Sequence, residues 1–129
     1  MKKVFLFLLA CATMVIAQGP AVDVLYFHGA QRCITCRSIE KLTKEVLQES
    51  FAKELKFGKV TFTVVDISEP TSEKIAKEYK VTWSSLFVNK WEGANEKRNN
   101  LTQMGFSYAK NQPAEFKKRF KQVMDDLLK

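Results

Sequence analysis

The chain has 129 residues, of which 46% are hydrophobic and 27% charged, and its formal net charge is +7. That is chain enough for one domain and too little for two, with the apolar content of a packed protein rather than a disordered one. Three cysteines are too few for a small fold stapled by several disulfides.

Met1-Lys2-Lys3 is followed by 14 residues, Val4 to Ala17, in which Thr13 is the only polar side chain. This run is shorter than the ~20 residues a membrane-crossing helix needs. A positive start, an apolar middle and the ending Val15-Ile16-Ala17 predict a secretory signal peptide over residues 1–17, cleaved before Gln18, with one domain over 18–129. The expectation is therefore an exported, periplasmic protein. Leu8-Leu9-Ala10-Cys11 carries the alternative, because it resembles a bacterial lipobox, and a lipidated Cys11 would anchor the protein to a membrane.

Removing Lys2 and Lys3 lowers the charge to +5 and leaves two cysteines, Cys33 and Cys36. In an exported chain such a closely spaced single pair reads as chemistry rather than a staple.

Ala21 to Phe27 is rich in residues that suit a buried strand. His28 to Arg32 forms a short loop, and Cys33-Ile34-Thr35-Cys36 then opens a helix whose stripe is Ile39, Leu42, Val46 and Leu47. On that helix Glu40 and Lys44 stand as an acid-before-base pair one turn apart. A short helical turn over Phe51 to Leu55 precedes Gly58, and Val60 to Asp66 is a central strand. Glu69 to Glu73 holds helix-start signals, with Ile75 and Tyr79 as the apolar face. Ser85 to Trp91 and Glu96 to Asn100 form a hairpin around Glu92 to Asn95, the second strand being a charged edge. Leu101 to Asn111 reads as a loop with a short helix. The last helix begins at Pro113 and is striped by Phe116, Phe120, Val123 and Leu127. Its basic run, Lys117-Lys118-Arg119 with Lys121, lies opposite that stripe as a solvated face, and no nucleic-acid partner is expected. This order predicts an α/β fold, a small mixed sheet covered by helices on both faces.

The motif places two thiols at a helix start, where unpaired N–H groups and the positive end of the macrodipole favour thiolate. Cys33, the outer one, is the candidate nucleophile. Cys36, one turn in, is placed to attack the mixed disulfide formed at Cys33. Arg32 and Arg37 add positive charge on either side.

With CxxC after an apolar strand and opening a helix, residues 20 to 129 resemble the thioredoxin-like superfamily, in particular small exported bacterial thiol-disulfide oxidoreductases. The resemblance implies a three-layer sandwich around a mixed sheet of four to five strands, with Cys33 attacking and Cys36 resolving. It implies cysteine-containing proteins as substrates and an unidentified redox partner.

Three departures from the family stand out. Its buried acid, six positions before the attacking cysteine, is Phe27 here, which leaves His28 as the nearest titratable side chain in sequence. Its cis-proline position is Ser85, within Trp83-Ser84-Ser85; a cis bond before serine costs about 2.5 to 4 kcal/mol, so a trans peptide is expected. That segment is the candidate substrate-binding surface, although Trp83 suits plain packing equally. The tryptophan usual before the first cysteine is Arg32, and Ile34-Thr35 replaces Gly-Pro, which leaves oxidant, reductant and isomerase all open.

Two other functions compete. One is a non-catalytic binding module with a structural disulfide. The other is thiolate binding of Cu(I) or Zn(II), for which Cys33, Cys36 and His28 fall short of the four ligands of a closed zinc site. No cofactor or metal is expected, and the protein is expected to be a monomer.

Overall fold

Strand β1 (Val22–His28) is the middle of the molecule, hydrogen-bonded on both sides. The computed structural model describes residues 19–129, so the signal-peptide reading and Cys11 lie outside the described residues. After β1 come α1 (Ile34–Ser50), α2 (Ala52–Lys56), β2 (Val60–Asp66), a 3-10 turn at Pro70–Ser72, α3 (Glu73–Tyr79), β3 (Ser85–Glu92), β4 (Asn95–Asn100), α4 (Thr102–Tyr108) and α5 (Pro113–Leu127). The sheet order is β2-β1-β3-β4. β1 and β2 are parallel, joined through α1 and α2, and the pairs β1–β3 and β3–β4 are antiparallel.

Alternation along β1 divides the core in two. Val22, Val24 and Tyr26 face the larger cluster, where Ile39, Leu42, Val46 and Leu47 of α1 meet Phe116, Phe120 and Met124 of α5. Leu25 and Phe27 face the smaller one, with Val65, Val81 and Phe87, covered by Ile75 and Tyr79 of α3. Helices thus lie on both faces of a four-stranded mixed sheet, the architecture expected from the sequence.

Helix α4 occupies the segment where Met104, Phe106 and Tyr108 alternate like a strand. Gly105 explains its presence there. A Cβ at this position would lie 3.1 Å from Ile39 Cδ1, so the absence of a side chain lets α4 pack directly onto α1. On α5 the basic run finds counter-charges: Lys117 bonds Glu45 at 2.9 Å, Arg119 bonds Glu115 at 2.6 Å and Lys121 bonds Asp125 at 2.8 Å.

Because α3 has only seven residues, the rest of the second sheet face is closed by polar contacts. Asp23 accepts from the Thr61 hydroxyl and from the Trp91 indole. Tyr79 donates to Glu96 Oε2 at 2.9 Å, accepts from the buried Asn89 amide at 2.9 Å, and lies under the Arg98 guanidinium, 3.8 Å from the ring centroid. Burial, with the neighbouring Glu96 carboxylate accepting the phenol hydrogen bond, pushes the Tyr79 pKa up to about 12.

From pH 10 to about 12 the unfolded chain releases a phenol proton that the folded chain keeps. The stability tied to this proton is therefore full below pH 10 and falls as pH rises through that window. An alkaline absorbance titration of the folded protein should show a late-ionising tyrosine that Tyr79→Phe removes. Loss of an ordinary tyrosine step near pH 10 instead would count against the network.

Candidate functional site

Cys33 is the N-cap of α1, with an extended backbone, and its sulfur accepts from Cys36 N–H at 3.0 Å. The two cysteines are disulfide-bonded, with Cα atoms 5.0 Å apart. The first turn of the helix contains no acidic residue, so nothing there opposes negative charge on sulfur. Cys33 is exposed and Cys36 is 5% exposed. A reagent from solution therefore reaches Cys33, whereas Cys36 is sheltered beneath it.

Tyr26 lies under this turn, because the inward alternation of β1 continues from Val22 and Val24. Its hydroxyl donates to Cys36 O at 2.8 Å, with the Ser84 side chain beside it. Burial raises the Tyr26 pKa and keeps the phenol protonated as a donor. Sequence counting missed this residue. Six positions before Cys33 is Phe27, whose ring points to the opposite face, 5.3 Å from Tyr79 and 5.9 Å from Phe87. The period-two register of β1, carried forward from Val22, was the signal that would have found Tyr26.

The loop before the motif is fastened by His28, Arg32 and Glu40. The Nδ1 atom of buried His28 is 2.8 Å from Gly29 O and 3.2 Å from Arg32 Nε, and its Nε2 is 2.5 Å from Arg32 Nη2, so the guanidinium lies along the imidazole. Arg32 Nη1 donates to Glu40 Oε1 at 2.6 Å. Glu40 is therefore committed to Arg32 rather than to Lys44, since helical side chains lean toward the N-terminus and Glu40 leans toward the cysteines. Part of the positive charge beside Cys33 is thus already countered. Arg37 is exposed and meets no carboxylate among the described residues.

Trp83 is 61% exposed and stacks on Phe106, with ring centroids 5.1 Å apart. It serves as packing on one face and as open surface on the other. Ser84 and Ser85 are buried, Ser85 Oγ donates to Trp83 O at 3.1 Å, and no described peptide bond is cis, so the Ser84–Ser85 link is trans. Through Ser84 and Tyr26 this segment reaches the turn that holds the disulfide. Beyond Trp83 opens a groove of about 600 Å³ whose lining, Asn100, Thr102, Gln103, Phe106 and Ser107 with Trp83, carries no charge. Among the described residues no three His, Cys, Asp or Glu side chains converge as a metal site.

No family model matches the sequence, and no curated protein matches it. Solved structures do match the fold. A thioredoxin from Thermus thermophilus is 18% identical with a TM-score of 0.50, over 80% of this chain and 73% of its own. The Trx4 domain of ERdj5 is 17% identical with a TM-score of 0.55, over 86% of this chain and 82% of its own. Likeness at these identities establishes a thioredoxin-like fold.

Two substitutions test the geometry. Tyr26→Phe removes a buried hydrogen bond and leaves Cys36 O without its side-chain donor, so urea unfolding should show a loss of about 1 kcal/mol; an unchanged midpoint would contradict the contact. Glu40→Gln releases Arg32 from its carboxylate. The pH midpoint of Cys33 alkylation should then move down, by up to about one unit, whereas no movement would mean that Arg32 does not act on the sulfur.

Proposed function

We propose that this thioredoxin-like chain is an exported thiol-disulfide oxidoreductase acting on cysteine-containing proteins. One observation supports this most: an exposed Cys33 caps a helix directly above a buried Cys36. In the reducing direction the Cys33 thiolate attacks one sulfur of a substrate disulfide. That forms the Cys33–substrate bond and expels the other substrate sulfur as thiolate. Cys36, as thiolate, then attacks Cys33 Sγ, closes the Cys33–Cys36 disulfide and releases the second substrate thiolate. Two electrons have passed to the substrate, and an external dithiol partner must return them. Run backward, the same steps oxidise a substrate dithiol.

Ile34, 69% exposed, and Trp83, 61% exposed, offer apolar surface on elements that converge on the disulfide. Such surface suits an unfolded or extended segment better than a charged one. Arg32, Arg37 and His28 are the residues that would tune the thiolate, and Trp83, Ser84 and Ser85 those that would meet substrate. The apolar run before Gln18 supports export to the periplasm, with lipidation at Cys11 as the anchored variant of the same reading.

The Cys36→Ser protein should accumulate mixed disulfides at Cys33 when exposed to proteins of its compartment, while Cys33→Ser should form none and lose insulin reduction. Absence of adducts in the first variant, together with an intact protein that cannot reduce insulin, would overturn the proposal. Partner binding that survives Cys33→Ser would point to a binding module instead.

A further inference from the structure

The outer face of α1 carries an imbalance of charge that begins at the disulfide. Cys33, Arg37, Lys41, Lys44 and Gln48 follow one another at spacings of four, four, three and four, and all five are exposed, so they form one line down the helix. Arg37 N–H donates to Cys33 O at 3.1 Å. The first cation therefore stands one turn below the reachable sulfur, and the line runs on from there.

A groove of about 420 Å³ follows this face, walled by Arg32, Arg37, Lys41 and Lys44 against only Glu40 and Glu45. Both carboxylates are already engaged. Glu40 bonds Arg32 at 2.6 Å, and Glu45 bonds Lys117 of α5 at 2.9 Å while reaching Lys41 only at 3.9 Å. Among the described residues Arg37 and Lys44 have no ion-pair partner. The basic run of α5 differs, since Lys117, Arg119 and Lys121 each hold a carboxylate. Helix stability does not account for the line on α1. Like charges one turn apart repel, and Arg37 lies near the positive end of the macrodipole, where a cation is unfavourable.

We propose that this line docks the redox partner, a protein dithiol whose reacting cysteine is flanked by acidic residues. The inference rests on the oxidoreductase reading and gives the disulfide two neighbouring surfaces. Substrate takes the uncharged side at Trp83, and the partner takes the cationic one. In the reducing direction a partner thiolate attacks Cys33 Sγ, forms the Cys33–partner bond and expels Cys36 as thiolate. The partner's second thiolate then attacks the partner sulfur of that bond, closes the partner's own disulfide and frees Cys33, so that two electrons enter the pair. Helix rise fixes where acid is needed, because Arg37 lies about 6 Å and Lys41 about 12 Å along the axis from Cys33. An extended chain advancing about 3.3 Å per residue reaches them at roughly two and four positions from its cysteine, both on one side of the strand.

Three synthetic peptides test it, identical except for Glu, Ser or Lys at the second and fourth positions from a single cysteine that carries a thionitrobenzoate group. Cys33 of the reduced protein attacks the peptide sulfur and releases thionitrobenzoate, which is followed by absorbance. Each rate is divided by that of the same peptide with dithiothreitol, which removes the peptide's own reactivity. At low salt the Glu peptide should react roughly tenfold faster than the Lys peptide, with the Ser peptide between them, and added salt should shrink the gap. Lys41→Glu should close most of the gap while the Ser peptide keeps its rate. Lys44→Glu should act in the same direction and covers the case in which Lys41→Glu fails to fold. Equal corrected rates for the three peptides, or a preference for the Lys peptide, overturn the inference and leave the oxidoreductase reading standing. Reaction with none of them overturns both. A gap that persists in both variants places the preference elsewhere and overturns the inference equally.

Discussion

The hydrogen bond from the Tyr26 hydroxyl to Cys36 O ties the first turn of α1 to the central strand. The orientation of the disulfide follows from it. A carbonyl in a helix's first turn ordinarily serves only the helix ladder; here it also takes a side-chain donor from the strand below. With Cys36 held down in this way, its side chain lies in the core and the sulfur of Cys33 is left at the surface. The asymmetry between an exposed and a sheltered sulfur is thus a consequence of packing, one turn of helix seated on one strand. The larger hydrophobic cluster, with Phe116, Phe120 and Met124 behind α1, keeps that seat rigid.

Electrostatics act on the same turn from the side. The helix start favours a thiolate, and the absence of acid in the first turn preserves that preference. Glu40 takes up Arg32, and His28 fixes the guanidinium from the other side. The loop from Gly29 to Arg32 is consequently a fastened strap. Its guanidinium is held between the Glu40 carboxylate and the His28 ring.

Most of the architecture was legible in the sequence because strong periodicities wrote it. The stripes Ile39-Leu42-Val46 and Phe116-Phe120 could only be helix faces, and the β-branched runs at Val22 and Val60 could only be strands. Cys33 and Cys36 were legible for the same reason, since a strand before them and a helix after them fix where the thiols stand. Contacts that depend on which way a side chain leans were not legible. Counting back six residues selected Phe27, although strand alternation sends it to the other face and brings Tyr26 under the motif. Glu40 was read with its neighbour on the helix, whereas its lean toward the N-terminus delivers it to Arg32. Leu101 to Asn111 was legible as a loop with a short helix, which is α4; how that helix packs was not, because Gly105 acts by having no side chain.

The central claim is that fold geometry makes one sulfur reactive and shelters the other. The direct measurement is residue-resolved alkylation of the reduced protein by mass spectrometry across neutral pH. Cys33 is expected to react much faster than Cys36, and at a pH where an ordinary cysteine is still mostly thiol. Equal rates at the two cysteines, or faster modification of Cys36, would contradict the account.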